Sequence, residues 1–197
     1  MKTLLSISAL ACALAFGFMS CEKEKEEEPL ILSDNKAVVQ SKTIVPNDEP
    51  IFFNIGDNEE IDDETKADIS LAGSMSLDLQ LANADKYRLG YFDSDIETIE
   101  DIKIAVLDTA TIKYTSKLTM SMVDGPAPST PNAWYNYLFT SHTLATIEGR
   151  YVILFEGNEE TGFSNTLDKV FIVQLTDILQ NGREVDNFSI KTKTFTK

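Results

Sequence analysis

One histidine, one tryptophan and two cysteines are all that 197 residues supply of the side chains most used in metal and nucleophilic chemistry. A Cys₂His₂ or Cys₄ zinc site lacks its ligands, and a Cys–His nucleophilic pair is scarcely available. Positive charge is scarce too, since 17 Lys and Arg face 32 Asp and Glu and leave a formal net charge of −15. Nucleic acid is held by clustered Lys and Arg, so DNA and RNA are set aside as partners. G-x-S-x-G, H-E-x-x-H, GxGxxG and the Gly-rich phosphate loop are all missing. Paired carboxylates of a hydrolase would find ample Asp and Glu here but have no local motif behind them. The expectation is a protein that is not an enzyme. At 43% hydrophobic and 25% charged residues the chain belongs with folded proteins, and its length suits one domain.

The first segment reads as an address. Met1-Lys2-Thr3 is a short positive start, and Leu4 to Phe18 is an apolar run of signal-peptide length, too short for a comfortable membrane span. Phe18-Met19-Ser20-Cys21 resembles a bacterial lipobox, in which Cys21 is lipidated and becomes the new N-terminus. Cys12 falls inside the discarded peptide, so the mature chain has neither free thiol nor disulfide and relies on packing. Two or more acyl chains anchor a protein durably to a bilayer. The acidic tract Glu22 to Glu28, closed by Pro29, cannot bury apolar area and reads as a tether. It is also similar to the surface-export signal of Bacteroidetes lipoproteins, which implies the outer face of the outer membrane; the plainer reading is a solvated linker. The expected division is a signal peptide over 1–20, an acylated Cys and acidic tether over 21–30, and one β domain over 31–197.

Strand-length runs fill that domain. Val38-Val39 with Thr43-Ile44-Val45 predict one short strand ended by Pro46, and Ile51 to Ile55 another. Asp57, Glu59, Glu60, Asp62, Asp63, Glu64 and Asp68 invite thoughts of calcium. An EF-hand loop requires a Gly at its sixth position, however, and Ile61-Asp62 stand there, so a solvated loop is the better reading. Met75, Leu77, Leu79 and Leu81 alternate with polar residues, predicting a strand with one buried face. Further strands are expected over 87–92, 102–107 and 111–122, the third and second of these separated from the first by a short helical connection over 96–101. The Pro-rich stretch Asp124 to Asn132 is expected to be an exposed loop. Strands follow over 134–137, 150–155 and 169–175, the last forming a hairpin with 188–195 through a turn containing Asn181-Gly182, longer than the two-residue type. With no long 3.6-residue period, the fold class is all-β: two packed antiparallel sheets or a rolled sheet, with few short helices.

Four segments carry a resemblance. Trp134-Tyr135-Asn136-Tyr137, Ser141-His142-Thr143-Leu144, Gly149-Arg150-Tyr151-Val152-Ile153 and Lys169 to Asp177 occur in an order that resembles the C-terminal half of HmuY-like lipoproteins, Bacteroidetes proteins that bind haem. Leu77-Asp78-Leu79-Gln80-Leu81 is similar to an upstream strand of that family, with Leu77 in place of its Trp. The resemblance implies an all-β fold that clamps haem at the outer membrane and passes it to a TonB-dependent haem receptor. Haem requires axial ligands, an apolar slot and tolerance of its propionates. The family's founding member uses two His, which a single His142 cannot reproduce within one chain; relatives that use Met point to Met120 and Met122, with Met75 further off. The ligand candidates are therefore Met120, Met122 and His142. Met120 and Met122 share one strand parity, and such a pair is core filler at least as readily as a metal site. Pocket-wall candidates are Trp134, Tyr135 and Tyr137, and propionate-pairing candidates are Arg88, Arg150 and Lys113. No metal beyond haem iron is expected. The insert from Glu156 to Asp168 exceeds the family's usual turn and reads as a mobile loop. Asp108-Thr109-Ala110 resembles an O-glycosylation sequon, with an ordinary turn start the equal alternative. The competing function is the same scaffold without haem, binding a glycan, peptide or partner protein at the cell surface.

Overall fold

The structure is a computed structural model that describes residues 30–73, 77–123 and 130–197. The signal peptide, Cys21, the acidic tether up to Pro29, Met75 and most of the Pro-rich loop lie outside the described residues. Among the described residues the strands are β1 (Ser33–Ile44), β2 (Ile51–Asn54), β3 (Glu59–Ile61), β4 (Ile69–Ala72), β5 (Asp78–Leu81), β6 (Tyr87–Asp93) and β7 (Lys113–Tyr114). They continue as β8 (Lys117–Val123), β9 (Ala133–Leu138), β10 (Thr143–Thr146), β11 (Arg150–Glu156), β12 (Lys169–Asn181) and β13 (Glu184–Thr196). One helix, α1 (Ile104–Thr109), and two 3₁₀ turns complete the set, so the fold is all-β.

Two sheets form the body. One has the order β1-β13-β12-β11-β6-β7, and the other β10-β9-β8-β5-β4-β2-β3. All neighbours are antiparallel except β8 and β9, which run parallel. The inner faces meet in a core that includes Phe53, Leu71, Leu79, Trp134, Val152, Leu154 and Phe188. The uninterrupted run Tyr151 to Phe155 follows from a second core on the far side of the first sheet. There Tyr151, Ile153 and Phe155 pack with Ile99, Ile102, Ile104 and Leu107. A strand buried on both faces has no reason to alternate.

Three local expectations change. The strand predicted over 102–107 is helix α1, because Ile104 and Leu107, three apart, both face the second core, and Asp34 Oδ1 accepts the Ile104 N–H at 3.0 Å at the helix start. The single strand predicted over 111–122 is two strands in different sheets. Thr115 Oγ1 donates to Lys117 O at 2.8 Å and accepts Lys117 N–H at 3.3 Å, a side-chain turn that carries the chain from one sheet to the other. The C-terminal hairpin closes with two residues after all: Asn181 pairs with Glu184, and Gly182 takes φ 67°, where glycine alone is unstrained. The first strand is also longer than predicted, running to Ile44 before Pro46.

The insert over 156–168, expected to be mobile, is tied down. Leu32 N–H donates to Asn165 O at 2.8 Å, Phe163 N–H to Tyr114 Oη at 2.9 Å, and Phe163 and Leu167 pack on the second core. Between the sheets, Gln180 acts as a clip: its Oε1 accepts Leu144 N–H at 2.8 Å and its Nε2 donates to Leu144 O at 2.9 Å. A side chain thereby occupies the outer edge of β10.

Buried phenols make the fold sensitive to alkali. Burial pushes Tyr151 from 10.0 up to about 12, reinforced by Glu100, Asp101 and Glu97, while its Oη donates to Ile96 O at 2.6 Å. Burial also raises Tyr87, and Tyr135 more strongly beside Asp78. A phenol that ionises later when folded contributes stability that is complete below its unfolded pKa and is lost as pH rises through the folded one. Far-UV circular dichroism under denaturant should therefore show stability falling between pH 10 and about 12, with Tyr151→Phe shallower across that window. A pH-independent midpoint there contradicts the burial of these hydroxyls.

Candidate functional site

Three strands build the end of the second sheet that carries two of the ligand candidates. In the parallel β8–β9 pair Met120 lies beside Tyr135 and Met122 beside Tyr137. In the antiparallel β9–β10 pair Tyr137 lies beside Leu144. Register partners project to the same side, so Met122, Tyr137 and Leu144 form one row across three strands. Met120 is half-buried against the inter-sheet core, whereas Met122 is 60% exposed. The shared parity predicted for the two methionines holds, but core filling describes Met120 alone.

His142 joins that row through the hairpin loop. It sits at φ 55°, a left-handed conformation that costs most side chains and that His tolerates better than bulky residues. Its ring lies 6.1 Å from Tyr137 and 5.9 Å from Phe139, which is 59% exposed. Tyr137 Oη and His142 Nδ1 are 2.7 Å apart in a hydrogen bond. With the phenol donating, Nε2 carries the imidazole proton; with Nδ1–H donating to the phenol oxygen, Nε2 presents its lone pair to a metal, the arrangement in which a ligating His is normally held. Tyr137 thus links the two candidates: it is hydrogen-bonded to the His142 ring and lies beside Met122 in the β8–β9 register.

The remaining candidates go elsewhere. Trp134 is 2% exposed and its Nε1 donates to Leu77 O at 2.7 Å. Tyr135 is buried, with its Oη donating to Asp78 Oδ1 at 3.0 Å. Both stand in the core; of the three expected wall residues Tyr137 alone reaches the exposed end. Arg150 is buried and fully engaged. Its Nε and Nη2 grip Asp93 at 2.7 and 2.9 Å, Nη1 donates to Pro131 O at 3.1 Å and also to Ala133 O, and the guanidinium lies 4.6 Å from the Tyr91 ring centre. Ala133 and Leu138 are the two ends of β9, and five strand residues at about 3.3 Å each put Arg150 roughly 17 Å from the His142 loop. Lys113 lies over Tyr91 at 5.5 Å, and Arg88 over Tyr114 at 4.4 Å, both on the first sheet. None of the three cations lies at the Met122–His142 end: each stands over a tyrosine ring in the other sheet.

What sequence reasoning missed is Phe139 and the Tyr137–His142 bond. Five residues apart, the two partners meet only because the loop between Leu138 and Thr143 turns the chain back. Among the described residues no group of three His, Cys, Asp or Glu side chains converges as a metal site. No family model matches the chain, and no curated protein is similar to it at a significant level.

Proposed function

We propose that this is a lipid-anchored, surface-exposed outer-membrane protein that binds haem as cargo at the β8–β9–β10 end and passes it to a TonB-dependent receptor. The reading rests on the lipobox at Cys21, the acidic tether and the HmuY-like order of the C-terminal segments. The observation that carries it is the 2.7 Å hydrogen bond between Tyr137 Oη and His142 Nδ1: with Nδ1–H as the donor, Nε2 is left for iron. The donor set fits the group: an imidazole and the Met122 thioether are both haem ligands, and exposed Phe139 offers an apolar face to the porphyrin. None of Arg88, Arg150 and Lys113 stands at that end to pair with the propionates. Haemin titrated into the protein should give a stoichiometric Soret shift, which His142→Ala abolishes and Met120→Ala leaves in place. A spectrum that remains that of free haemin defeats the proposal.

A second reading is favoured by the distant cations. Met122 and Phe139 are large apolar side chains on the surface, as at protein contacts, and the scaffold without haem would present them to a glycan, peptide or partner protein.

A further inference from the structure

The hairpin that carries His142 differs in charge from the rest of the chain. Charged residues make up 25% of the sequence and the formal net charge is −15, yet not one Asp, Glu, Lys or Arg occurs from Gly125 to Ile147. Phe139, Thr140, Ser141 and His142 are all exposed between β9 and β10, and Met122, the neighbour of Tyr137 on β8, is exposed as well. Depletion of charge together with exposed aromatic and Met side chains is the composition of a protein contact. Two copies of a strongly acidic chain repel each other, so an uncharged end is where they approach at least cost.

The supply of ligands says which protein completes this end. Two axial ligands reach haem iron from opposite faces of a flat ring. Met122 and His142 border one surface, since Tyr137 is hydrogen-bonded to His142 and lies beside Met122. A ring resting on that surface takes one ligand from it and turns its other face outward. The chain holds a single histidine, so an opposing imidazole has to come from a second copy.

We propose that haem is bound between two copies of this chain, each giving His142 to one face of the iron, with Phe139 and Met122 of both copies as the apolar surround. The proposal rests on the haem reading above and adds its partner, an isologous pair that uses the same patch on both copies. Haemin titrated into the protein should shift the Soret band until half an equivalent per chain has been added and no further, while sedimentation velocity shows the monomer replaced by a species of twice its mass. His142→Asn, a side chain that tolerates the left-handed backbone at this position, should stay monomeric and lose the shift. Phe139→Asp, at an exposed position, brings two carboxylates together across the contact and should weaken the pairing at least about tenfold. A Soret shift that saturates at one equivalent with the protein still monomeric overturns the pairing and leaves the haem reading standing. A spectrum that remains that of free haemin overturns both, and a dimer that forms equally in His142→Asn overturns the pairing through His142.

Discussion

Arg150→Ala is expected to destabilise the protein by about 3 kcal/mol, the joint loss of the several hydrogen bonds that one buried guanidinium makes. The sources of the loss can be separated. The Asp93 side chain is 52% exposed, so its carboxylate regains water when the guanidinium goes. The carbonyls of Pro131 and Ala133 lose their donor at the entry to β9, and Tyr91 loses the cation packed on its face. An unsatisfied buried acceptor costs roughly 1–3 kcal/mol, which makes the buried Ala133 carbonyl the larger share, while exposed Pro131 can turn to water. Arg150→Lys should recover little, because an ammonium cannot grip Asp93 in two places and reach β9 as well. Denaturant unfolding should show a lower midpoint at unchanged slope. A change below about 0.5 kcal/mol, as for an ordinary surface substitution, contradicts the structural role and returns Arg150 to the list of ligand-facing cations.

Trp134→Ala should cost about 4 kcal/mol, as large-to-small changes of buried aromatics do. Its indole fills the space between the sheets, and its removal also leaves Leu77 O, 2.7 Å from Nε1, without that donor. Trp134→Phe should retain most of the packing and lose chiefly the hydrogen bond, about 1 kcal/mol. The family resemblance made Trp134 a candidate wall of a haem slot, with core or interface the ordinary alternative for a strand of aromatics, and the two roles separate in a single experiment. A core residue takes stability with it, whereas a wall residue takes ligand affinity and leaves the unfolding midpoint in place.

The legible parts of the chain were those governed by local pattern. Period-two alternation located the β5 strand with Leu77 and Leu79 inward, and continuous apolar runs located β11 and β12. Where local preference met a tertiary demand it misled. Ile102 to Leu107 is β-prone, yet the exposed face of the first sheet needed a cover, and the 99–107 segment supplies it as a 3₁₀ turn and a helix. Thr115 and Ser116 gave no warning of a change of sheet because the turn is made by a threonine hydroxyl rather than by Gly or Pro.

The site divided along the same line. Parity placed Met120 and Met122 on one face, since that is a property of one strand. Arg150 and Asp93 are 57 residues apart and share no local signal, so a buried, saturated arginine looked like one ready for a propionate. His142 was recognisable as the single imidazole, but its partner across the loop was not, nor was the left-handed backbone that presents it.

Paramagnetic broadening by haemin tests the central claim most directly, because ferric iron erases amide signals around wherever it binds. With the ¹⁵N-labelled protein, one equivalent should remove the signals of Met122, Tyr137, Phe139 and His142 while those of β6 and β7, at the far edge of the other sheet, stay sharp. Signals lost at another part of the sheets, or uniform intensity throughout, would contradict a haem site at the Tyr137–His142 end.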